Sequence, residues 1–482
     1  MNYRLIFSTI ARVIKVEAFL LLLPVVISAI YGEKCFYAFL ITSGCAYALG
    51  AILGVIFKPK TQYYYAKDGL ITVALTWIVV SLIGCVPFVI SKEIPSFVDA
   101  FFETVSGFTT TGASILTGSE VEALSHGTLF WRSFTHWIGG MGVLVFIISI
   151  TSRTSDRPIH VLRAEMPGPV VDKLVPSSKN TAKILYVIYV ALTALLIVLL
   201  WCGDMNLFES VIHAFGTTGT GGFSSSGNGL SSYSAYSQWV IAIFMIISGI
   251  NFNLFFLILI KKIGAVFKSS ELRTYLIIIV LSAIAITFNI YPQYERAGDA
   301  IRHAVFQTAS IISTSGFATT DFNKWPYLSK AILLILMFVG GCSGSTAGGF
   351  KVSRIVILFK KIKAELKKIL NPRTVNVVKV DKERVDEGVL NGIGNYLAVY
   401  LTCFIAMFIL VSINGFSFET NFSATLACFN NVGPGLDMVG PMGSFADFSA
   451  FSKIVLSIAM LFGRLEIYPL LLAFIPSTWF KK

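Results

Sequence analysis

The strongest constraint on this chain is a series of ten long apolar runs separated by short polar segments. A helix of about 20 apolar residues crosses a hydrocarbon layer about 30 Å thick. The composition agrees, because 55% of the 482 residues are hydrophobic and only 13% are charged, which excludes a water-soluble globular protein. We therefore predict an all-α polytopic membrane protein with ten spans. The runs lie at residues 13–31, 35–57, 70–90, 126–151, 184–202, 238–260, 274–291, 329–360, 389–413 and 451–475.

Basic residues between the runs predict the orientation of the chain. Most of the 38 Lys and Arg residues lie in the segments that a cytoplasmic amino terminus places inside, as the positive-inside rule requires. Both termini are then cytoplasmic. This placement explains the basic excess better than nucleic-acid binding does. The outer segments carry acidic residues that would concentrate cations at a negative mouth. They are Asp99, Glu103, Glu120, Glu122, Asp204, Glu209, Glu295, Asp299, Asp321, Glu419, Asp437 and Asp447.

The sequence offers no pattern that is typical of an enzyme or a metal centre. The seven cysteines are scattered and form no CxxC pair, and the five histidines lack metal-ligand spacing. An integral membrane enzyme would need clustered nucleophiles, bases or metal ligands. We therefore predict a protein that is not an enzyme and that carries no cofactor.

Four short apolar pieces between the spans form an internal repeat. Residues 102–113 read FETVSGFTTTGA and residues 306–317 read FQTASIISTSGF, so Phe, Thr, Ser and the final Gly recur at the same offsets. Residues 212–223 read IHAFGTTGTGGF, and the more divergent fourth piece ends in NNVGPGL at 430–436. This alignment pairs Gly112, Gly222 and Gly316 with Gly435. The repeating unit is a span, a short helix, a Gly-centred strand and a second span.

Each short piece is too short to cross a membrane and should re-enter from the outer side. Non-helical backbone at membrane depth is tolerated where protein buries it or where it lines a watery cavity. Four such segments can converge on one axis, where their carbonyl oxygens replace the water shell of a dehydrated cation. Glycine permits the required dihedral angles, and Thr or Ser hydroxyls add oxygens. An oxygen-rich cage without titrating ligands suits a hard cation such as potassium. Turns between helices, or the broken helices of a secondary transporter, are the alternatives.

The motifs TTTGAS (109–114), TGTGGFS (218–224), STSGFAT (313–319) and NNVGPGL (430–436) resemble the Trk/Ktr/HKT superfamily of potassium transporters. The resemblance covers essentially the whole chain. It implies a fourfold pseudo-repeat of helix, pore loop and helix, as in potassium channels. Two further spans at the amino terminus are similar to the branch of TrkH/TrkG-type transmembrane subunits. The implied divisions are two N-terminal helices (1–66) and four pore repeats (67–155, 156–265, 266–370 and 371–482).

The resemblance implies a selectivity filter for potassium, and for rubidium, with glycine at all four central positions. The implied filter residues are Thr110, Thr111, Gly112, Thr220, Gly221, Gly222, Thr314, Ser315, Gly316, Gly433, Pro434 and Gly435.

The segment GGCSGSTAGG interrupts the eighth run, because so many small residues disfavour an unbroken helix. By resemblance it is an intramembrane gating loop, with close helix packing as the alternative. Arg464, inside the last run, matches an arginine that the family places in the pore; the alternative is an ion pair with Glu466 or another carboxylate at a helix interface. Lys351 and Arg354 are predicted to face the cytoplasm. The implied gate residues are Gly340, Gly341, Gly344, Ser345, Thr346, Gly348, Gly349 and Arg464.

The basic, amphipathic connector at 360–387 can lie against anionic lipid on the inner side. By resemblance, such surfaces also dock a ring of soluble TrkA-type regulatory subunits that bind NAD or ATP/ADP. The resemblance further implies a homodimer in a bacterial inner membrane.

The sequence thus predicts channel-like potassium uptake. The alternative is an ion-coupled secondary transporter, either a K⁺/H⁺ or Na⁺ symporter or a carrier of another small solute. Arg464 would be its main coupling residue, although arginine stays protonated and carries protons poorly.

Overall fold

The structure is a computed structural model that describes residues 1–59, 65–142, 178–373, 377–381 and 383–479. Its described part is mainly α-helical, as predicted, and contains one short hairpin of two antiparallel strands. The first half has helices α1 (Tyr3–Leu20), α2 (Leu22–Ile30), α3 (Cys35–Ile56), α4 (Ala66–Gly84), α5 (Val86–Ser91), α6 (Phe97–Phe108), α7 (Gly118–Glu122), α8 (His126–Gly140), α9 (Ser178–Trp201), α10 (Leu207–Thr218), α11 (Ala235–Ser248), α12 (Phe252–Leu259) and α13 (Ile263–Lys268). The second half has α14 (Ser270–Ile290), α15 (Ala297–Ile312), α16 (Tyr327–Val339), α17 (Val352–Leu370), β1 (Lys379–Val380), β2 (Glu383–Arg384), α18 (Glu387–Val411), α19 (Phe418–Phe429), α20 (Ala450–Arg464) and α21 (Tyr468–Phe474).

Six of the predicted spans are helical stretches long and apolar enough to cross a membrane. In the last of them only 28% of the most apolar window is buried, so much of its apolar surface faces outward, as contact with lipid requires. This confirms a multi-pass membrane protein. The six stretches are Tyr3–Ile30, Cys35–Ile56, Lys67–Ser91, Lys183–Trp201, Ser270–Gln293 and Glu387–Asn414.

The remaining four runs each follow a short re-entrant piece, and three of them are broken. The run at 238–260 bends by 93° between α11 and α12, and the run at 451–475 breaks between α20 and α21. The predicted interruption of the run at 329–360 is present, since α16 ends at Val339 and α17 begins at Val352. Only residues 126–140 of the fourth run are helical in the described part; residues 143–151 and the predicted boundary at 155 lie outside it. The runs at 238–260 and 451–475, which were predicted as spans, are therefore each divided by a break.

Helices α6, α10, α15 and α19, which we call the pore helices, are 12 to 16 residues long. Three of them begin at a side-chain cap: Ser96 accepts from Asp99 N–H, Asn206 from Glu209 N–H, and Ser417 from Thr420 N–H. At about 1.5 Å per residue, none of the four can cross a hydrocarbon layer. Their carboxyl-terminal halves are buried against the neighbouring spans, so the segment that follows each pore helix lies in the middle of the protein.

Candidate functional site

The chain leaves each pore helix with the same backbone geometry. The N–H groups of Thr111, Gly221, Ser315 and Val432 each donate to the carbonyl five residues earlier, at 2.8 to 2.9 Å. The residue before each of them has a φ of 55° to 56°, and the glycine after each has a φ of 78° to 97°. The four segments at 109–113, 219–223, 313–317 and 430–434, which we call the re-entrant segments, are thus structural repeats.

This geometry corrects the alignment of the fourth segment. Gly433, with a φ of 97°, occupies the position of Gly112, Gly222 and Gly316. Gly435 lies further along, where its N–H donates to Val439 O at 2.7 Å and its Cα packs beside Ser423. The hydrogen bond from Val432 N–H to Ala427 O fixes this register, because it places the turn two residues earlier than the sequence alignment did.

The four glycines and the residues before them form a closed ring. A Cβ atom at Gly112 would overlap the carbonyl oxygen of Gly221 in the second segment. The same relation holds from Gly222 to Ser315, from Gly316 to Val432, and from Gly433 back to Thr111. Each position therefore requires glycine for two reasons: its φ is left-handed, and the neighbouring backbone approaches it closely.

The ring borders a small cavity. A cavity of about 110 Å³ is lined by all four glycines of the ring and by Pro434, but not by Gly435. Six further predicted filter residues are buried around it: Thr110, Thr111, Thr220, Gly221, Thr314 and Ser315. The Asn431 amide links the first and fourth segments by donating to Thr111 Oγ1 at 3.0 Å. The structure thus brings eleven of the twelve predicted filter residues together.

A buried ion pair supports the first re-entrant segment from behind. Glu103 Oε1 accepts from Arg132 at 2.7 and 2.9 Å, and both side chains are at most 2% exposed. Glu103 also accepts from Ser114 Oγ at 2.9 Å and from Ile115 N–H at 3.0 Å, just past Gly112. In the second repeat His213 takes this place and lies 3.3 Å from Ser224 Oγ. The pair was not predicted, because Arg132 stands in another apolar run, 29 residues away.

Replacing Glu103 with Ala is expected to destabilise the protein by about 3–5 kcal/mol, because it leaves the Arg132 charge buried without its partner. The measurement is thermal unfolding in detergent, with the exposed Glu295→Ala as the control. Equal unfolding midpoints for the two variants would contradict the expected support.

Part of the acidic charge predicted for the outer mouth is compensated by ion pairs. Asp99 pairs with Lys453 at 2.6 Å and Glu419 with Lys330 at 3.3 Å, while Glu103 is buried with Arg132. The negative mouth is therefore weaker than the residue count predicts.

Asp437, beyond the fourth segment, is held by hydroxyl groups. Ser417 Oγ and Thr420 Oγ1 donate to its carboxylate at 2.5 and 2.6 Å, which lowers its pKa below the usual 3.8. Asn323 also accepts from its N–H at 3.0 Å, so Asp437 ties the third repeat to the fourth.

Because the folded pKa of Asp437 is lowered, its contribution to stability is full above about pH 4 and is lost as the pH falls through the folded pKa. We expect Asp437→Asn to be less stable than the unmodified chain at pH 7, with the difference shrinking toward pH 3. Thermal unfolding across this range measures it. A difference that stays constant down to pH 3 would contradict the assignment.

The loop at 340–351 lies directly next to the ring, on the side of Thr314. Gly348 N–H donates to Thr314 Oγ1 at 2.6 Å, and a Cβ at Gly348 would overlap the carbonyl oxygen of Asn430. The loop also contacts the bend between α11 and α12, where Cys342 N–H donates to Gly249 O at 2.9 Å and Phe252 N–H to Gly344 O at 3.0 Å.

The backbone of the loop explains why its residues are small, because Gly340, Gly344 and Gly349 have φ values of 69°, 72° and 80°. Of the other predicted gate residues, Gly341 packs against Ala347, and Ser345 donates to Cys342 O.

Arg464 joins this loop to the first repeat. Its guanidinium donates to Thr346 O at 2.8 Å and to Thr110 Oγ1 at 3.3 Å. It also donates to Gly140 O at 2.7 Å and to Gly139 O. The predicted pore position is consistent with these contacts, none of which involves Glu466.

Glu466 instead forms an ion pair with Arg354. Arg354 and Lys351 are 4% and 3% exposed, so the prediction that they face the cytoplasm was wrong. Lys351 Nζ donates to Ala347 O inside the loop, and the Arg354 guanidinium lies 4.1 Å from the centre of the Tyr396 ring. The partners of Arg354 are distant from it in sequence, so hydropathy alone could not indicate the burial of this residue.

The chain is similar to known transport proteins over nearly its whole length. Residues 37–482 match the family model TrkH, described as cation transport protein. The chain is 34% identical to the Trk system potassium uptake protein TrkH of Salmonella typhimurium, over 99% of this chain and 100% of that protein. It is 33% identical to the Trk system potassium uptake protein TrkG of Escherichia coli, over 95% and 94% of the two chains. The crystal structure of the potassium transporter TrkH from Vibrio parahaemolyticus superposes with a TM-score of 0.89, at 32% identity and full coverage of both chains.

Proposed function

This chain belongs to the TrkH family of cation transport proteins, and we propose that it mediates potassium uptake through a channel-like pore along the axis of the four re-entrant segments. The relatives' names describe potassium uptake by a Trk system. The observation that carries the proposal is the closed ring in which Gly112, Gly222, Gly316 and Gly433 each abut the backbone of the next segment.

Such a ring can replace the hydration shell of a monovalent cation with carbonyl and hydroxyl oxygens. Thr110, Thr220 and Thr314 share a positive φ with Asn431, so the four segments can present similar atoms to one ion. Potassium, or rubidium in its place, is the transported ion and not a resident cofactor. A negative-inside potential supplies about 2.3 kcal/mol per charge per 100 mV for entry.

The 340–351 loop and Arg464 form the gate in this proposal. Gly348 N–H of the loop donates a hydrogen bond to Thr314. The Arg464 guanidinium donates to both Thr346 and Thr110. A fixed positive charge at this depth raises the barrier for a cation. Passage then requires that the loop move and that the hydrogen bonds of Arg464 break. The alternative of proton-coupled transport through Arg464 is less favoured, because a guanidinium does not release its proton.

The chain also has a proposed division into repeats and a proposed assembly with other subunits. The divisions at 1–66, 67–155, 156–265, 266–370 and 371–482 correspond to two N-terminal helices and four pore repeats. The chain forms a homodimer in the bacterial inner membrane, with both termini in the cytoplasm. A cytosolic ring of TrkA-type subunits that binds NAD or ATP/ADP contacts its inner surface and controls the gate.

Expression in a bacterium that lacks its own potassium uptake systems tests this function. The proposal predicts growth at low external potassium and loss of that growth with Gly222→Ser. A membrane-inserted chain, expressed together with its regulatory partner, that does not restore growth would contradict it.

A further inference from the structure

The carboxylate of Glu271 contacts both ends of the 340–351 loop. Its Oε1 atom accepts from Ser343 N–H at 2.6 Å and from Ser353 N–H at 3.1 Å. The hydroxyl groups of Ser343 and Ser353 also hydrogen-bond to each other. One carboxylate oxygen thus joins the point where the chain enters the loop to the point where it leaves.

The local structure fixes this carboxylate in place. Glu271 is the second residue of α14, whose first turn is capped by Ser269 through Leu272 N–H at 3.3 Å. Ser353 is the second residue of α17. Glu271 therefore stands in the first turn of one helix and binds the first turn of another, where helix dipoles favour a negative charge.

A second contact connects this position to the inner surface. Ser270 N–H, next to Glu271, donates to Asp381 Oδ1 at 2.7 Å. Asp381 is exposed and lies in the turn between β1 and β2, with a φ of 51°. A continuous series of contacts therefore runs from an exposed hairpin through α14 to the loop beneath the ring.

We propose that Glu271 is a positioning residue of the gate, and that the hairpin of β1 and β2 controls it through Asp381 and Ser270. This inference rests on the proposed function, since it assigns the regulation of the same pore. Displacement of the hairpin by a cytosolic partner would move the start of α14, withdraw the carboxylate from Ser343 and Ser353, and free the loop.

The first test is rubidium flux into liposomes that contain the purified full chain, without a partner. Hydrogen bonds to a charged group are strong enough that losing them shifts a two-state equilibrium about tenfold or more. We expect Glu271→Ala to raise flux by about that factor, with the potassium-to-sodium ratio unchanged. Glu271→Gln, which keeps an acceptor oxygen but loses the charge, should raise flux less. Glu387→Ala, an exposed glutamate in the first turn of α18, is the matched control and should change nothing.

The second test is a double-mutant cycle with Asp381→Ala. If Asp381 acts through Glu271, the single Asp381 variant raises flux, and the double variant has the same flux as Glu271→Ala alone. Additive effects would overturn the connection between hairpin and gate.

The outcomes also separate this inference from the proposed function. If Arg464→Ala opens the pore but folded Glu271→Ala and Glu271→Gln leave the flux unchanged, the role of Glu271 is overturned and the pore stands. If the unmodified chain and all variants fail to conduct rubidium even with the regulatory partner, the proposed function itself is overturned.

Discussion

Replacing Gly112 with Ser is expected to lower the discrimination between potassium and sodium by about tenfold or more. The residue has a φ of 78°, and its Cα lies against the carbonyl oxygen of Gly221. A side chain here must be strained or must displace the neighbouring segment, at about 1–3 kcal/mol, which corresponds to about tenfold in ion preference. The measurement is rubidium uptake into liposomes in the presence of competing potassium or sodium.

The control for this variant is Gly394→Ser in α18, where an added Cβ meets no other atom within 4 Å. It should transport like the unmodified chain. Unchanged discrimination in folded Gly112→Ser protein would contradict the assignment of the first segment.

The same measurement distinguishes the two glycines of the fourth segment. Gly433→Ala should impair discrimination, because its φ is 97° and its neighbour is the backbone of Thr111 and Gly112. Gly435→Ala should affect it much less, because an added Cβ there meets mainly the side chains of Ser423 and Val439, which can adjust. The reverse order of effects would restore the alignment that the sequence indicated.

Deleting residues Gly344 to Gly348 is expected to raise potassium flux by about tenfold or more in the absence of a partner. The deletion removes Thr346 O, which holds Arg464, and Gly348 N–H, which donates to Thr314. Loss of charge-assisted hydrogen bonds of this kind shifts a closed state toward the open one by about that factor. Flux under an imposed membrane potential measures it.

Arg464→Ala is the point variant of the same prediction and should also raise flux, because it removes both the charge and the contacts with Thr346 and Thr110. Arg12→Ala, at an exposed position of α1, is the matched control. Folded deletion and Arg464 variants with unaltered flux would show that this loop is not the gate.

The sequence predicted the parts of this fold that depend on local pattern. Apolar length identified six spans, and the four short apolar pieces that end in Gly-containing motifs identified the four pore helices with their re-entrant segments. The segment from Gly340 to Gly349 was identified as a break because its glycines disfavour a helix. In each case the responsible residues are close together in the chain.

The remaining features depend on partners that are distant in sequence. Two glycines flank Pro434, and only the bond from Val432 N–H to Ala427 O decides which of them joins the ring. Lys351 and Arg354 follow the segment that was predicted to be the gating loop and were predicted to face the cytoplasm, yet Arg354 pairs with Glu466, 112 positions later. Glu271 was not singled out from the sequence, because its contact with Ser343 spans 72 residues.

The central claim, a potassium-selective pore in this chain, is tested most directly by rubidium uptake into liposomes that contain the purified protein and its regulatory partner. A negative-inside potential is imposed, without a proton or sodium gradient. The account predicts uptake that potassium blocks and sodium blocks poorly, and that Gly112→Ser makes sensitive to sodium. Uptake that requires a proton or sodium gradient, or that potassium and sodium block equally, would contradict it.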